Sequence, residues 1–311
     1  MTIDTTTRDE PVDLAVATGR PELTPAADAG AEVTRPVTAA HRWRTAWLSG
    51  RGLLGLVLLT SLIAVALLAP VLAPYSPTQQ LPRANLLGPN PAHLLGTDQV
   101  NRDVFSRTLH GLRTDLLIVF IAVPIGAVLG TLLALAGTLV GAVDIALQRF
   151  FDVLLAFPTL IFAIGLTAVI GPGTWTVIVV IAVVETPIFA RLLRASILRV
   201  SALAYVDASR SIGAGSGWVL RRHVLPNASQ PLGVQLAISL SLAVFVESAM
   251  SFLGIGVRPP QPSLGSLIAD GINYVSFNPA YAVGPLAVVV VLVLALQLLA
   301  QALVGTGRIT R

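Results

Sequence analysis

The chain of 311 residues has no cysteine, and all twenty of its basic residues are arginine, with no lysine anywhere. Without thiols, neither a disulfide framework nor a thiolate metal site can form. Without lysine there can be no ordinary phosphate-binding loop of the GxxxxGK[ST] type, whose ammonium grips the β- and γ-phosphates. If the protein takes part in ATP-driven work, the ATP has to be bound by another subunit. Charge is scarce too: 12% of residues are charged and 54% hydrophobic, which excludes a soluble globular domain and leaves an integral membrane protein. The four histidines, His41, His93, His110 and His223, are too scattered for a metal cluster, and no nucleic-acid partner is expected.

What is abundant is apolar sequence in long runs. Runs near Leu53 to Leu72, Leu116 to Leu139, Val153 to Ile170, Trp175 to Phe189, Leu232 to Phe252 and Ala282 to Leu303 each approach or exceed the roughly twenty residues that cross about 30 Å of hydrocarbon as a helix. An all-α fold with six transmembrane helices follows. The fourth span is the weakest, since Glu185 and Pro187 interrupt it, and a break is expected near Pro187. Residues 1–45 carry Thr, Pro, Ala and acids without periodicity and read as a disordered cytosolic tail rather than a signal peptide. A leading helix is placed at 46–74, an outside segment at 75–112, the main membrane domain at 113–303 with a polar loop at 194–229, and a cytosolic end at 304–311. With the amino terminus inside, only Arg83, Arg102, Arg107, Arg113 and Arg258 fall outside, and the other fifteen arginines lie inside. That positive-inside bias puts both termini and the polar loop in the cytosol.

The polar loop is the most informative stretch. From Tyr205 to Pro226 it carries helical spacings on both sides of Gly213, a residue free to take the positive φ that redirects a chain. Two short helices broken at Gly213 are expected, the second stopping at Pro226. Tyr205, Ile212 and Trp218 are interface-anchoring types in an otherwise basic segment, which favours a protein partner. The blander alternative is an amphipathic linker on anionic lipid, suited by Arg191, Arg194, Arg199, Arg210, Arg221 and Arg222.

Two further polar motifs flank the spans. Gly96-Thr97-Asp98 leads through Asn101, Arg102, Asp103, Ser106 and Arg107 to Arg113, and this pairing of acids with arginines suggests a salt-bridged element at the membrane edge. The other runs from Glu247 through Ser251-Phe252-Leu253-Gly254 and Gly256 to Pro259, Pro260, Pro262 and Gly265, where glycines and prolines force the chain out of helix. Glu185 and Glu247 are costly within spans and are candidates for lining a translocation path or relaying protons; the alternative is that each is satisfied inside a helix interface. Asp152 reads as interfacial. Gly126, Gly130 and Gly137 permit close helix contact, either within the chain or against a partner.

These motifs resemble those of a known family. The order Asp207-Ala208-Ser209, Gly213 and then Leu225-Pro226 resembles the "EAA" loop of bacterial ABC-importer permeases. Gly96 to Arg113 resembles "GTDxxGRDxxSRxxxGxR" of the dipeptide, oligopeptide and nickel branch, second permease subunit, with Asn101 in place of glycine and Asp115 where a small polar residue is common. Ser251 to Gly265 resembles "SFLGxGxxPPxPxWG", with Leu264 in place of tryptophan. The resemblance implies a non-catalytic type I permease in the bacterial plasma membrane whose loop is a coupling helix, with Tyr205, Asp207, Ala208, Gly213, Trp218, His223 and Pro226 facing an ATPase. It implies a homologous permease partner, two ABC ATPase subunits or a fused ATPase that bind ATP and Mg, an extracellular solute-binding protein, a dipeptide or oligopeptide cargo, and surrounding lipid. No cofactor or metal is expected on this chain. The competing reading is an ion-gradient-driven secondary transporter that titrates Glu185 and Glu247 and has broken helices at the midplane.

Overall fold

A computed structural model describes residues 50–305; the expected tail at 1–45, His41 and the residues after 305 lie outside the described residues. Helix α1 (Gly50–Leu67) is followed by a single turn, α2 (Ala69–Leu72), which Pro70 opens at its first positions. An irregular stretch leads to α3 (Val104–Leu139), then come α4 (Gly141–Ala156), α5 (Thr159–Ile170) and α6 (Thr174–Ser201). A polar segment follows with α7 (Ala204–Ser211), α8 (Ser216–Val219), a π-helical turn at Leu220–Val224 and α9 (Leu225–Ala228). Helices α10 (Gln230–Phe252), α11 (Leu264–Ile272) and α12 (Pro279–Gly305) complete the fold. Among the described residues, α1, α3, α6, α10 and α12 are each long and apolar enough to cross a membrane.

The third expected span, Val153–Ile170, is not one helix. It falls on α4 and α5, which meet at an angle of 96°. Pro158 lacks a backbone N–H and drives Phe157 into an extended conformation (φ −85°, ψ 133°), so the helix cannot run through. Taken together the pair is long and apolar enough for a sixth crossing if it is one broken span, or for a re-entrant loop.

The fourth span departs from expectation the other way. α6 runs unbroken through Pro187 for 28 residues and is the most buried of the crossing helices. Thr186 Oγ1 donates to Ala182 O at 2.7 Å, and close neighbours on both faces hold the helix across the missing backbone donor. One neighbour is α3, where Gly126 and Gly130 bring the helix backbones together. A Cβ at Gly126 would stand 2.6 Å from Glu185 Cβ, and one at Gly130 2.9 Å from Ala190 N. Both glycines thus serve packing within the chain, and Gly137 likewise faces Asp144 of α4.

The main core joins α3, α6, α10 and α12 through residues such as Val119, Val123, Val180, Val244 and Leu292, and takes in Ala66 of α1 and Ala163 of α5. A second core, with Phe151, Leu193, Val206, Val219 and Val224, ties α4 and the end of α6 to the polar segment.

Candidate functional site

The polar segment begins later than expected: residues 194–201 are the last two turns of α6, and the segment proper is 202–229. Gly213 ends α7 with φ +89°, as its position in the sequence requires. Pro226 does not stop the second arm. The chain widens into the π turn at Leu220–Val224, where Leu225 N donates to Leu220 O, and continues helically through Pro226 to Ala228. The wider turn absorbs the proline that would otherwise collide with the preceding carbonyl.

Val206, Val219, Val224 and Ala228 anchor the segment below, each almost fully buried. Above them the two arms are stitched together through His223. Its imidazole meets Tyr205 of α7 and Trp218 of α8 edge to face, and Asn227 Nδ2 donates both to His223 O (2.7 Å) and to Tyr205 Oη (3.3 Å). Asn227 was not singled out in the sequence; its i, i+4 spacing from His223 is the signal that could have found it. The outer face presents Ile212 (87% exposed), Trp218 (56%) and Tyr205 (42%), with Asp207, Ala208 and Gly213 also exposed. Among the described residues, the ion pair of Asp207 is with Arg210, at 3.3 Å, one turn along the same helix. Two of the arginines counted as candidates for lipid contact are engaged elsewhere: Arg194 grips Asp144 of α4 with two bonds of 2.6 and 2.7 Å, and Arg191 pairs with Asp152. The segment is therefore a braced platform.

The stretch before α3 folds into a polar cluster. Asp98, fully buried, accepts from Val100 N (2.9 Å), Arg102 N (2.8 Å) and Arg102 Nε (2.7 Å), with Arg107 Nε 3.6 Å away. Asp103 caps α3, accepting from Ser106 N and Ser106 Oγ at 2.7 Å each, while its other oxygen meets His93 Nδ1 at 2.9 Å. Thr97 Oγ1 accepts from Leu87 N, Gly96 takes φ +76°, and Asn101 takes φ +64°, a conformation asparagine tolerates. Arg107 Nη1 donates to Pro77 O. Nearby, burial pushes the Asp270 carboxyl above its ordinary range against the opposing pull of Arg107 and Arg102. The seven signature residues here are brought together, and they hold one another.

Glu185 and Glu247 are each enclosed by helices rather than exposed. Glu185 of α6 (4% exposed) accepts from Ser239 Oγ of α10, which itself accepts from Gln235 Nε2 at 3.1 Å. Glu247 of α10 is fully buried and accepts from Ser251 Oγ at 2.7 Å. In this state both acids are occupied in helix junctions, the alternative left open by the sequence.

Comparison with known proteins matches this architecture. Residues 114–305 fit the family described as binding-protein-dependent transport system inner membrane component, and residues 43–89 fit the N-terminal TM domain of oligopeptide transport permease C. The dipeptide transport system permease protein DppC of Alkalihalophilus pseudofirmus is 33% identical over 247 residues, covering 78% of this chain and 81% of that protein. The di/tripeptide transport system permease protein DppC of Pseudomonas aeruginosa is 38% identical over 71% of this chain and 75% of its own length. The glutathione transport system permease protein GsiD of Pectobacterium atrosepticum is 36% identical over 78% and 81%. Among solved structures, an amino acid ABC transporter with histidines shares the fold at a TM-score of 0.53 and 19% identity, over 63% of this chain and 92% of that one. An inward-facing MetNI methionine ABC transporter does so at 0.50 and 20%, over 66% and 97%. The chain belongs to the binding-protein-dependent transport system inner membrane component family and is a multi-pass membrane permease.

Proposed function

We propose that the chain is one permease half of an ATP-driven importer of dipeptides or oligopeptides in the bacterial plasma membrane. It forms the translocation path with a homologous permease and receives cargo from an extracellular solute-binding protein. The platform at 202–229 seats on a separate ATPase, one of two subunits or one half of a fused pair, and those subunits bind ATP and Mg. Both termini and the platform face the cytosol, on the evidence of the arginine distribution, and the Asp98 cluster faces outward. Peptide cargo is supported by the relatives named above, two of which are named for dipeptides or di/tripeptides.

The observation that carries this reading is the exposed trio Tyr205, Ile212 and Trp218 on a platform braced from beneath by buried valines. Exposed apolar and aromatic side chains on a rigid base are what a protein interface needs, because little ordering entropy is left to lose on binding. As ATP draws the ATPases together, a braced platform transmits the displacement into α6 and α10, the two crossing helices it joins. A gradient-driven mechanism lacks the support it would need: α6 is unbroken at Pro187, and Glu185 is bonded to Ser239.

The test is uptake into vesicles holding the permease pair, the ATPases and the binding protein. Peptide should accumulate only with ATP inside the compartment that contains the platform. Accumulation driven by an ion gradient without ATPase subunits would overturn the reading.

A further inference from the structure

Arg113 on α3 is an exposed guanidinium without a counter-charge: among the described residues its side chain enters neither an ion pair nor a hydrogen bond. The charges near it in sequence are satisfied elsewhere. Arg102 and Arg107 lie on Asp98, at 2.7 and 3.6 Å, and the Asp115 carboxyl accepts from Leu264 N at 3.1 Å. An ionised group at the edge of the hydrocarbon is costly unless an opposite charge reaches it. Within the described chain none does.

Beside Arg113 a groove of about 250 Å³ opens between α1 and α3, lined by Ile63, Ala66, Leu67, Leu116, Leu117 and Phe120. Ala66 and Leu116 are almost fully buried and form its floor, while Leu67, Leu117 and Phe120 stand exposed along its walls. Arg113 comes one turn ahead of the apolar run that starts at Leu116, and Phe120 lies about 10 Å further along the helix axis at 1.5 Å per residue. The groove thus has a charged mouth at headgroup depth and an apolar body that runs into the hydrocarbon. Its other wall, α1, is the least buried of the crossing helices. Gly55 seats the far end of α1 on α12, where a Cβ would stand 3.0 Å from Ala295 O and Leu299 N, whereas toward Leu67 the groove lies between α1 and α3.

We propose that this groove binds an anionic glycerophospholipid. Arg113 holds the phosphate, one acyl chain lies over Ala66 and Leu116 toward Phe120, and the lipid seats the outer end of α1 against α3. The planar guanidinium can donate to two phosphate oxygens at once, and a basic residue at the head of a cleft between membrane helices is how acidic lipids are held. Charge selects the occupant. An apolar span of a partner subunit would cover the same walls but bury the guanidinium without an anion. A zwitterionic lipid carries its own ammonium group beside the phosphate, which weakens the contact. The leaflet is the outer one on the orientation proposed above; the binding itself does not depend on that orientation.

Native mass spectrometry of the assembled transporter, mixed in detergent with equal amounts of phosphatidylglycerol and phosphatidylcholine of identical chains, tests the site without requiring transport. The wild type should retain phosphatidylglycerol over phosphatidylcholine by roughly fivefold, the preference that about one arginine–anion contact at a membrane surface supplies. Arg113 is exposed, so Arg113→Gln leaves the packing alone; it should lose one retained phosphatidylglycerol, and Arg113→Lys should keep part of the preference. If Arg113→Gln retains both lipids as the wild type does, the proposal is overturned. It is overturned as well if millimolar inorganic phosphate, against chloride at equal ionic strength, displaces the phospholipid, since the site would then be one for a free anion. Retention of neither lipid by the wild type, the result expected if a partner helix fills the groove, also overturns it. None of these readouts involves uptake, so their failure leaves the transport reading standing, and a complex that binds the lipid but imports no peptide counts against that reading alone.

Discussion

Trp218 and His223 meet edge to face with ring centroids 5.0 Å apart, and Tyr205 meets the same imidazole from the other arm at 6.1 Å. His223 is thus the joint between α7 and the second arm. Aromatic pairs of this geometry contribute about 0.5–1.5 kcal/mol beyond their buried area. His223→Ala removes two of them together, so ATP hydrolysis stimulated by the binding protein should fall several-fold while the chain still inserts and assembles. His223→Phe, which keeps the ring contacts, should retain most of the activity. The check is stimulated ATPase activity per assembled complex; equal loss in both variants would assign His223 a chemical role instead.

Gly213 stands at φ +89° with nothing within 4 Å of the place a Cβ would occupy. Its substitution cost is therefore one of backbone conformation alone, about 1–2 kcal/mol or more for a β-branched residue. Gly213→Val should uncouple ATP hydrolysis from uptake without lowering the amount of chain in the membrane, whereas Gly213→Asn should be tolerated. Normal coupled uptake by Gly213→Val would show that the platform needs no fixed turn.

Much of this was legible from local chemistry. The positive φ of Asn101 and Gly213 follows from which side chains tolerate it, and the acid–arginine knot around Asp98 follows from spacing within one short stretch. The proline errors share one cause. Whether a proline breaks a helix depends on what surrounds it: Pro158 meets a chain free to turn, Pro187 lies in the most enclosed helix, and Pro226 is absorbed by a π turn. The junctions of Glu185 with Ser239 and of Asp115 with Leu264 link residues far apart in the chain, so no periodicity announces them.

Asp98 and Asp207 each pair with arginine, but Asp98 is fully buried while the Asp207 side chain is 66% exposed. Removing one partner of a buried, hydrogen-bonded ion pair costs about 3–5 kcal/mol, whereas an exposed pair contributes about 0–1 kcal/mol. Asp98→Asn should lower the thermal midpoint of the purified chain sharply, and Asp207→Asn should leave it nearly unchanged. Similar midpoints for the two variants would mean that solvent reaches the Asp98 cluster.

Gly130 is a point of backbone contact between α3 and α6. A Cβ there would collide with the carbonyl oxygen of Thr186 and stand 2.9 Å from Ala190 N, both backbone atoms that cannot swing aside as a side chain would. Overpacking a core ordinarily costs about 1–3 kcal/mol, and the upper end applies where the obstacle is backbone. Even Gly130→Ala should reduce the yield of folded chain, and Gly130→Leu should abolish it. Gly165→Ala, with open space around it, should have no effect and is the matched control. Folded yield by size-exclusion profile in detergent decides the matter. A normal profile for Gly130→Leu would mean that α3 and α6 are not in backbone contact, and with that the close seating of Glu185 between α3 and α10 would fall as well.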